Sequence, residues 1–250
     1  MNRLRLYVIS CRVFEREFKA LAAGSTTDLQ IQFLEMALHE RSGCDLRAAL
    51  QKAIDAVPPN QFDAVALGYG LCNRGLLGLM ARNLPVIVPR AHDCISLLLG
   101  GSQRYLAEFE QQPNTYFQSS GWIEHLPADK SLRPPANGSS HIFSATAEEL
   151  IAKYGEENAR FLLEEANKFN NHYRRMAFIS TPVDGIEARE RKASEIAQRR
   201  GWQFEKLSGD LAWLCNLVNG DWKENEFLVL KPRERIVARY DGLLMGAESQ

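Results

Sequence analysis

Three short apolar runs, Leu6-Tyr7-Val8-Ile9, Ala64-Val65-Ala66-Leu67 and Val86-Ile87-Val88, are separated by stretches with helical spacing. That alternation restricts the chain to an α/β fold with the runs as neighbouring parallel strands. Runs without polar alternation bury both faces, as strands of a parallel sheet do. Each run gives out at a sulfur or imidazole: Cys11 after the first, Cys72 after the second, His92 and Cys94 after the third. Parallel neighbours have their carboxyl ends side by side, so these four residues are expected on one rim, where open α/β sheets bind their ligands.

Between the runs, Arg12 to Ala23 carries Val13, Phe14, Phe18 and Leu21 at helical spacing, and Leu46 to Val57 sets Leu46, Leu50, Ala53, Ile54 and Val57 on one stripe. Leu29 to Leu38 is partly strand-like, and Gly75 to Ala81 is read as a crossover helix. From Asn114 to Ser140 the composition turns aromatic and rich in Gly, Pro and Ser, which predicts a long loop, either a lid or an interdomain tether. Thr146 then reads as the N-cap of a helix continuing through Phe169. A smaller α/β unit follows, with strands at Met176 to Ser180, Trp202 to Leu207 and Phe227 to Leu230, and helices at Glu187 to Arg199 and Leu211 to Val218. Val8 to Cys11 answers Phe178 to Thr181, and Asp63 to Leu67 answers Phe227 to Leu230; chance similarity of short apolar strands is the alternative. The expectation is an α/β protein of two Rossmann-like parallel-sheet lobes with a cleft between them: a first lobe over 1–113, a loop over 114–145, and a linking helix with a second lobe over 146–250.

Composition narrows the function classes. The formal charge is −1, from 30 basic and 31 acidic side chains, whereas a nucleic-acid footprint shows as a strongly basic face. No run approaches the ~18 apolar residues of a membrane span, and no leader is visible, so the expected setting is the cytoplasm. An odd count of five cysteines argues for thiols or ligands rather than a disulfide framework.

The turn Gly68-Tyr69-Gly70-Leu71-Cys72-Asn73-Arg74-Gly75 lets the backbone approach a ligand, with Gly70 as a substrate-binding position. Its spacing is not G-x-G-x-x-G, and no P-loop lysine follows. A helix start after Cys72 would favour its thiolate. In Pro89-Arg90-Ala91-His92-Asp93-Cys94-Ile95-Ser96, three consecutive residues carry an imidazole, a carboxylate and a thiol. Two or three thiolates from Cys11, Cys72 and Cys94 plus the imidazole of His92 suit tetrahedral zinc, and a shell left one ligand short would hold substrate or water. A cysteine nucleophile is the metal-free alternative: Cys72 or Cys94 attacking, His92 as base, Asp93 or Glu15 orienting it. An iron–sulfur cluster normally needs four cysteines. His39 reads as a substrate-binding member of the rim or as a solvated surface residue. Tyr116 and Trp122 could close over a small ligand or plug a seam. Cys44 and Cys215 read as structural, and His125, His141 and His172 show no partner pattern.

At Ile9-Ser10-Cys11 with Glu15, Leu67 to Cys72, Pro89 to Ile95 with Leu98-Leu99-Gly100, Thr115-Tyr116-Phe117 with Gly121 to Glu124, and Leu217 with Gly220-Asp221-Trp222, the chain resembles a prokaryotic family named domain of unknown function 1638. It departs at Pro113-Asn114-Thr115-Tyr116, where glycine is expected in place of Asn114. The resemblance implies an association with corrinoid-dependent one-carbon metabolism. The combined expectation is a zinc-thiolate enzyme of group transfer, with methyl transfer as the specific reaction. Cys72, Asp93 and Glu15 would be its catalytic residues, its substrate a small molecule, and a corrinoid protein a partner. The alternative is a non-catalytic accessory protein handling a metal or a corrinoid.

Overall fold

The computed structural model of the chain describes residues 3–36, 38, 43–125, 147–170, 172–183 and 185–249. It is a mixed α/β protein with parallel-sheet strands. The apolar runs become β1 (Arg5–Cys11), β3 (Ala64–Gly68) and β4 (Val86–Pro89), joined by β2 (Asp28–Leu34). The larger sheet has the order β2-β1-β3-β4 and then β8 (Phe227–Leu230). Its first four strands are parallel. Every residue of β3 and β4 is buried, as strands covered on both faces require. Such an order reverses between β1 and β3, the switch point where doubly wound sheets open a crevice at their carboxyl ends.

Helices α1 (Glu15–Ala23), after a 3-10 turn over Arg12–Phe14, and α2 (Gly43–Asp55) follow β1 and β2. The connection from β3 to β4 is not the helix its spacing suggested. Gly78 has φ +84°, and the backbone from Gly78 to Ala81 bonds instead to the β9 strand (Glu234–Ala238): Gly78 N–H donates to Ile236 O at 2.8 Å and Ile236 N–H to Leu79 O at 2.9 Å. Pairing with this C-terminal hairpin, completed by β10 (Met245–Ser249), satisfies backbone groups that a helix would have satisfied internally.

Helices α3 (Cys94–Leu98) and α4 (Ser102–Gln111) lead to a second sheet. The stretch expected to be loop from Asn114 contains β5 (Thr115–Ser119), buried throughout, and α5 (Ser120–His125); residues 126–145 of the expected loop and Thr146 lie outside the described residues. After α6 (Ala147–Tyr154) and α7 (Glu156–Asn170), the chain forms β6 (Arg175–Ser180), α8 (Glu187–Arg200), β7 (Gln203–Ser208) and α9 (Ala212–Asn219). The second sheet is parallel in the order β5-β6-β7. Phe227–Leu230, expected to belong with it, is instead the antiparallel edge of the larger sheet, pairing with β4. The expected match between Asp63 to Leu67 and Phe227 to Leu230 therefore does not extend to their places in the fold: one is a central parallel strand, the other an antiparallel edge.

Strand alternation joins the two sheets. Phe117, Ala177, Ile179 and Leu207 enter the same apolar cluster as β1, β3 and β4, while Tyr116, Met176 and Phe178 face the other way onto Ala193, Ile196 and Ala197 of α8. At the carboxyl ends the segments that follow the strands of the two sheets touch directly. A side chain at Gly121 would put its Cβ 1.9 Å from Val13 O, and Thr181 Oγ1 donates to Glu17 Oε1 at 2.8 Å. The backbone of Asp210 donates to Leu98 O at 2.9 Å. Among the described residues, no helix is long and apolar enough to cross a membrane.

The Gly121 contact is tested by substitution. Gly121→Ala should destabilise the fold by at least ~2 kcal/mol, since neither backbone can yield without breaking other packing. Gly24→Ala, with nothing within 4 Å of its added methyl, should fall within ~1 kcal/mol of wild type in urea unfolding.

Candidate functional site

The rim is built by hydrogen bonds that continue the β3–β4 pairing past the strand ends. Leu71 N–H donates to Ala91 O at 2.8 Å and Cys72 N–H to His92 O at 3.1 Å. Gly70 makes this approach feasible, because a Cβ there would lie 2.7 Å from both Cα and N of Asp93. Its role is to press one loop against the other. After it the chain enters a left-handed turn, with φ of 40° at Cys72, 53° at Asn73 and 60° at Arg74, closed by Gly75 N–H to Cys72 O at 3.0 Å. Three successive non-glycine residues in this region store backbone strain, and such strain gathers at functional sites. The regular helix start expected after Cys72 is absent.

Cys11, Cys72 and Cys94 are brought close enough to influence one another electrostatically. Burial pushes the Cys11 thiol up to about 11, opposed by a hydrogen bond from the Val13 backbone. Burial, then the Asp93 charge, then Cys11 raise Cys72, against backbone hydrogen bonds from Gly70 and Cys94. Cys94 is raised by burial and then by Cys72 and Asp93. With the expected helix start absent, Cys72 lacks that activation, and desolvation outweighs the two backbone hydrogen bonds it accepts. Tyr69, raised by burial and by all three sulfurs, carries a buried hydroxyl with no hydrogen-bond partner.

The other expected site residues take different places. Asp93 is the N-cap of α3, accepting from Ser96 N at 3.0 Å and Ser96 Oγ at 3.2 Å. Burial nonetheless raises its carboxyl. His92 is exposed, its ring centroid 6.3 Å from that of Tyr105. Glu15 holds Lys19 at 2.6 Å and His125 at 3.5 Å rather than a thiol. Tyr116 stacks edge to face on Tyr173 at 5.4 Å and lies 5.5 Å from Trp202; strand alternation turns it to the face away from the rim, where it fills core. Trp122 packs half-buried on the larger cluster, and His39 lies outside the described residues. Cys44 is exposed and Cys215 half-buried, both free.

Among the described residues, no set of three or more His, Cys, Asp or Glu side chains has the arrangement that would hold a metal ion as it stands. The donor chemistry of three thiols fits a soft divalent metal, and backbone N–H groups already directed at Cys72 suit a thiolate there. Binding one ion there would require the thiols to lose their protons.

Several residues at this edge were not singled out from the sequence. Tyr69 lay unremarked between two glycines. The Tyr105 hydroxyl interacts with Asp93, yet the residue sits on an otherwise ordinary amphipathic helix. Glu17 is 2% exposed, and its signal was legible: it falls on the same helical stripe as Phe14, Phe18 and Leu21. Ser119 and Ser120, both buried without hydroxyl partners, gave no such pattern.

Over residues 33–218 the chain matches the family model described as "Protein of unknown function (DUF1638)". The chain belongs to this family. The DUF1638 match takes in Cys72, His92 and Cys94 and begins after Cys11. No curated protein and no solved structure matches the chain.

Two measurements check the site's energetics. Arg74→Gly should raise unfolding stability by about 1 kcal/mol, by relieving the left-handed strain; unchanged or lower stability in urea titration would contradict it. Burial raises the Glu17 carboxyl above its ordinary 4.5, so the unfolded chain ionises first. Stability should then fall as pH rises from 4.5 toward the raised folded value. Glu17→Gln should gain stability relative to wild type over that rise, and a pH-independent difference would contradict the assignment.

Proposed function

We propose that the protein binds a soft divalent metal, zinc by its donor chemistry, through Cys11, Cys72 and Cys94, with His92 as a further ligand, and catalyses group transfer. The observation that carries this reading is the placement of three thiols from three separate segments past the carboxyl ends of neighbouring parallel strands: Cys11 at the end of β1, Cys72 in the turn after β3 and Cys94 at the start of α3 after β4. A divalent cation reverses the local electrostatics, because it favours the thiolates that burial now disfavours. Methyl transfer is the specific reaction proposed: bound zinc would keep a substrate thiol deprotonated at neutral pH, and a corrinoid protein would be the methyl-carrying partner. Within this reading the two sheets act as two Rossmann-like lobes with the substrate in the cleft between them, in a cytoplasmic protein.

Residues of the chain would do the rest. Tyr69 offers a buried hydroxyl beside the sulfurs. Asp93 orients α3 through its cap, and Tyr105 covers the Asp93 side. A metal-free cysteine nucleophile fits less well, since an activated thiol needs a depressed pKa, and all three here are raised.

Metal analysis by inductively coupled plasma mass spectrometry, on full-length protein purified without added metal, should find close to one zinc per chain. Cys72→Ser and Cys94→Ser should each lose most of it while keeping the wild-type circular dichroism spectrum. Wild-type protein with well under one metal per chain, and with one cysteine rapidly alkylated by iodoacetamide, would overturn the proposal.

A further inference from the structure

Beside the thiol rim, the segments that leave β1, β5 and β6 enclose a separate cleft of about 530 Å³. That volume lies in the range of small-metabolite sites, which pair apolar walls with a few placed polar groups. Its apolar wall is Ala20, Pro182 and Val183, and its polar wall carries charges of both signs.

Those charges are arranged in two tiers. Glu15 is anchored by Lys19 at 2.6 Å and Glu124 by Arg189 at 2.9 Å. The second contact of each carboxylate is long: His125 Nε2 to Glu15 at 3.5 Å, and Arg16 Nη1 to Glu124 at 3.9 Å. At such distances, at or beyond the limit of a hydrogen bond, these second contacts are weak, so a ligand's own groups can replace them. A simple anion would meet two carboxylates here, and a simple cation would meet Arg16 and Lys19. Only a ligand with both charges can complement both sets.

The same segments carry buried polar atoms without a partner: Oε2 of Glu17 and the hydroxyls of Ser119 and Ser120. None of these three residues lines the cleft itself, so their cost falls on the fold behind it. Glu17 is fixed on its other oxygen by Thr181, the residue before Pro182 in the cleft wall.

We infer that this cleft binds a small zwitterionic metabolite of the α-amino acid class. Its carboxylate faces Arg16, Lys19 and His125, its ammonium faces Glu15 and Glu124, and a short apolar side chain lies on Pro182 and Val183. The inference stands apart from the metal reading, because none of these residues is a thiol and no metal is needed to form the cleft.

The test is isothermal titration calorimetry of the full-length protein with each of the twenty standard L-α-amino acids. At least one should bind with Kd below ~1 mM, and its deamino and decarboxylated analogues should bind at least about tenfold more weakly. Glu124→Gln and Lys19→Gln, each shown by thermal melting to be folded, should weaken it by about tenfold, whereas Cys72→Ser should leave the affinity unchanged. No amino acid binding below ~1 mM, a singly charged analogue binding as tightly, or full affinity in both charge variants would overturn the inference.

Discussion

Everything at the rim depends on two backbone hydrogen bonds and the absence of one methyl group. Leu71 to Ala91 and Cys72 to His92 extend the β3–β4 ladder beyond its strands, and Gly70 lets the loops close to backbone contact. Without that contact Cys72 and Cys94 would hang from independent loops. With it, a backbone N–H of the Cys94 turn reaches the Cys72 sulfur, and the strained turn over Cys72 to Arg74 becomes a consequence of where the chain must go next.

Burial then sets the chemistry. The sulfurs lie at the edge of a core that includes both sheets, in surroundings that favour neutral thiols. Thiols in such surroundings are weaker nucleophiles than exposed ones. The same low-dielectric edge explains why Glu17 and Asp93 have raised carboxyls, whereas Glu15, on the wetter side, is lowered by Lys19.

Much of this was legible in the sequence. The apolar runs ending at Cys11, Cys72 and His92 foretold a parallel sheet, because burial on both faces leaves no polar alternation. The second sheet was legible at Met176 to Ser180 and at Trp202 to Leu207. Its first strand was missed because Thr115 to Ser119 mixes aromatic and hydroxyl residues and sits in a Gly- and Pro-rich context, and only pairing with β6 makes it a strand. The β3–β4 connection was read as helix from its leucines, but the partner that straightens it, Glu234–Ala238, is remote in sequence. At the site, residue types revealed the sulfurs but not their neighbours. Strand alternation sends Tyr116 into the core, and helix packing brings His125 to Glu15; neither placement is encoded locally. Glu17 on an apolar stripe was the one local anomaly that marked a buried polar group.

The central claim, that Cys11, Cys72 and Cys94 can converge on one ion, is most directly tested by titrating reduced, metal-free protein with cadmium and following the thiolate-to-metal charge-transfer band in the ultraviolet. The account predicts saturation at a single equivalent in the wild type, and in each of Cys11→Ser, Cys72→Ser and Cys94→Ser a weaker band that no longer saturates at one equivalent. A band that is absent, or that persists unchanged in the Cys72→Ser variant, would contradict it.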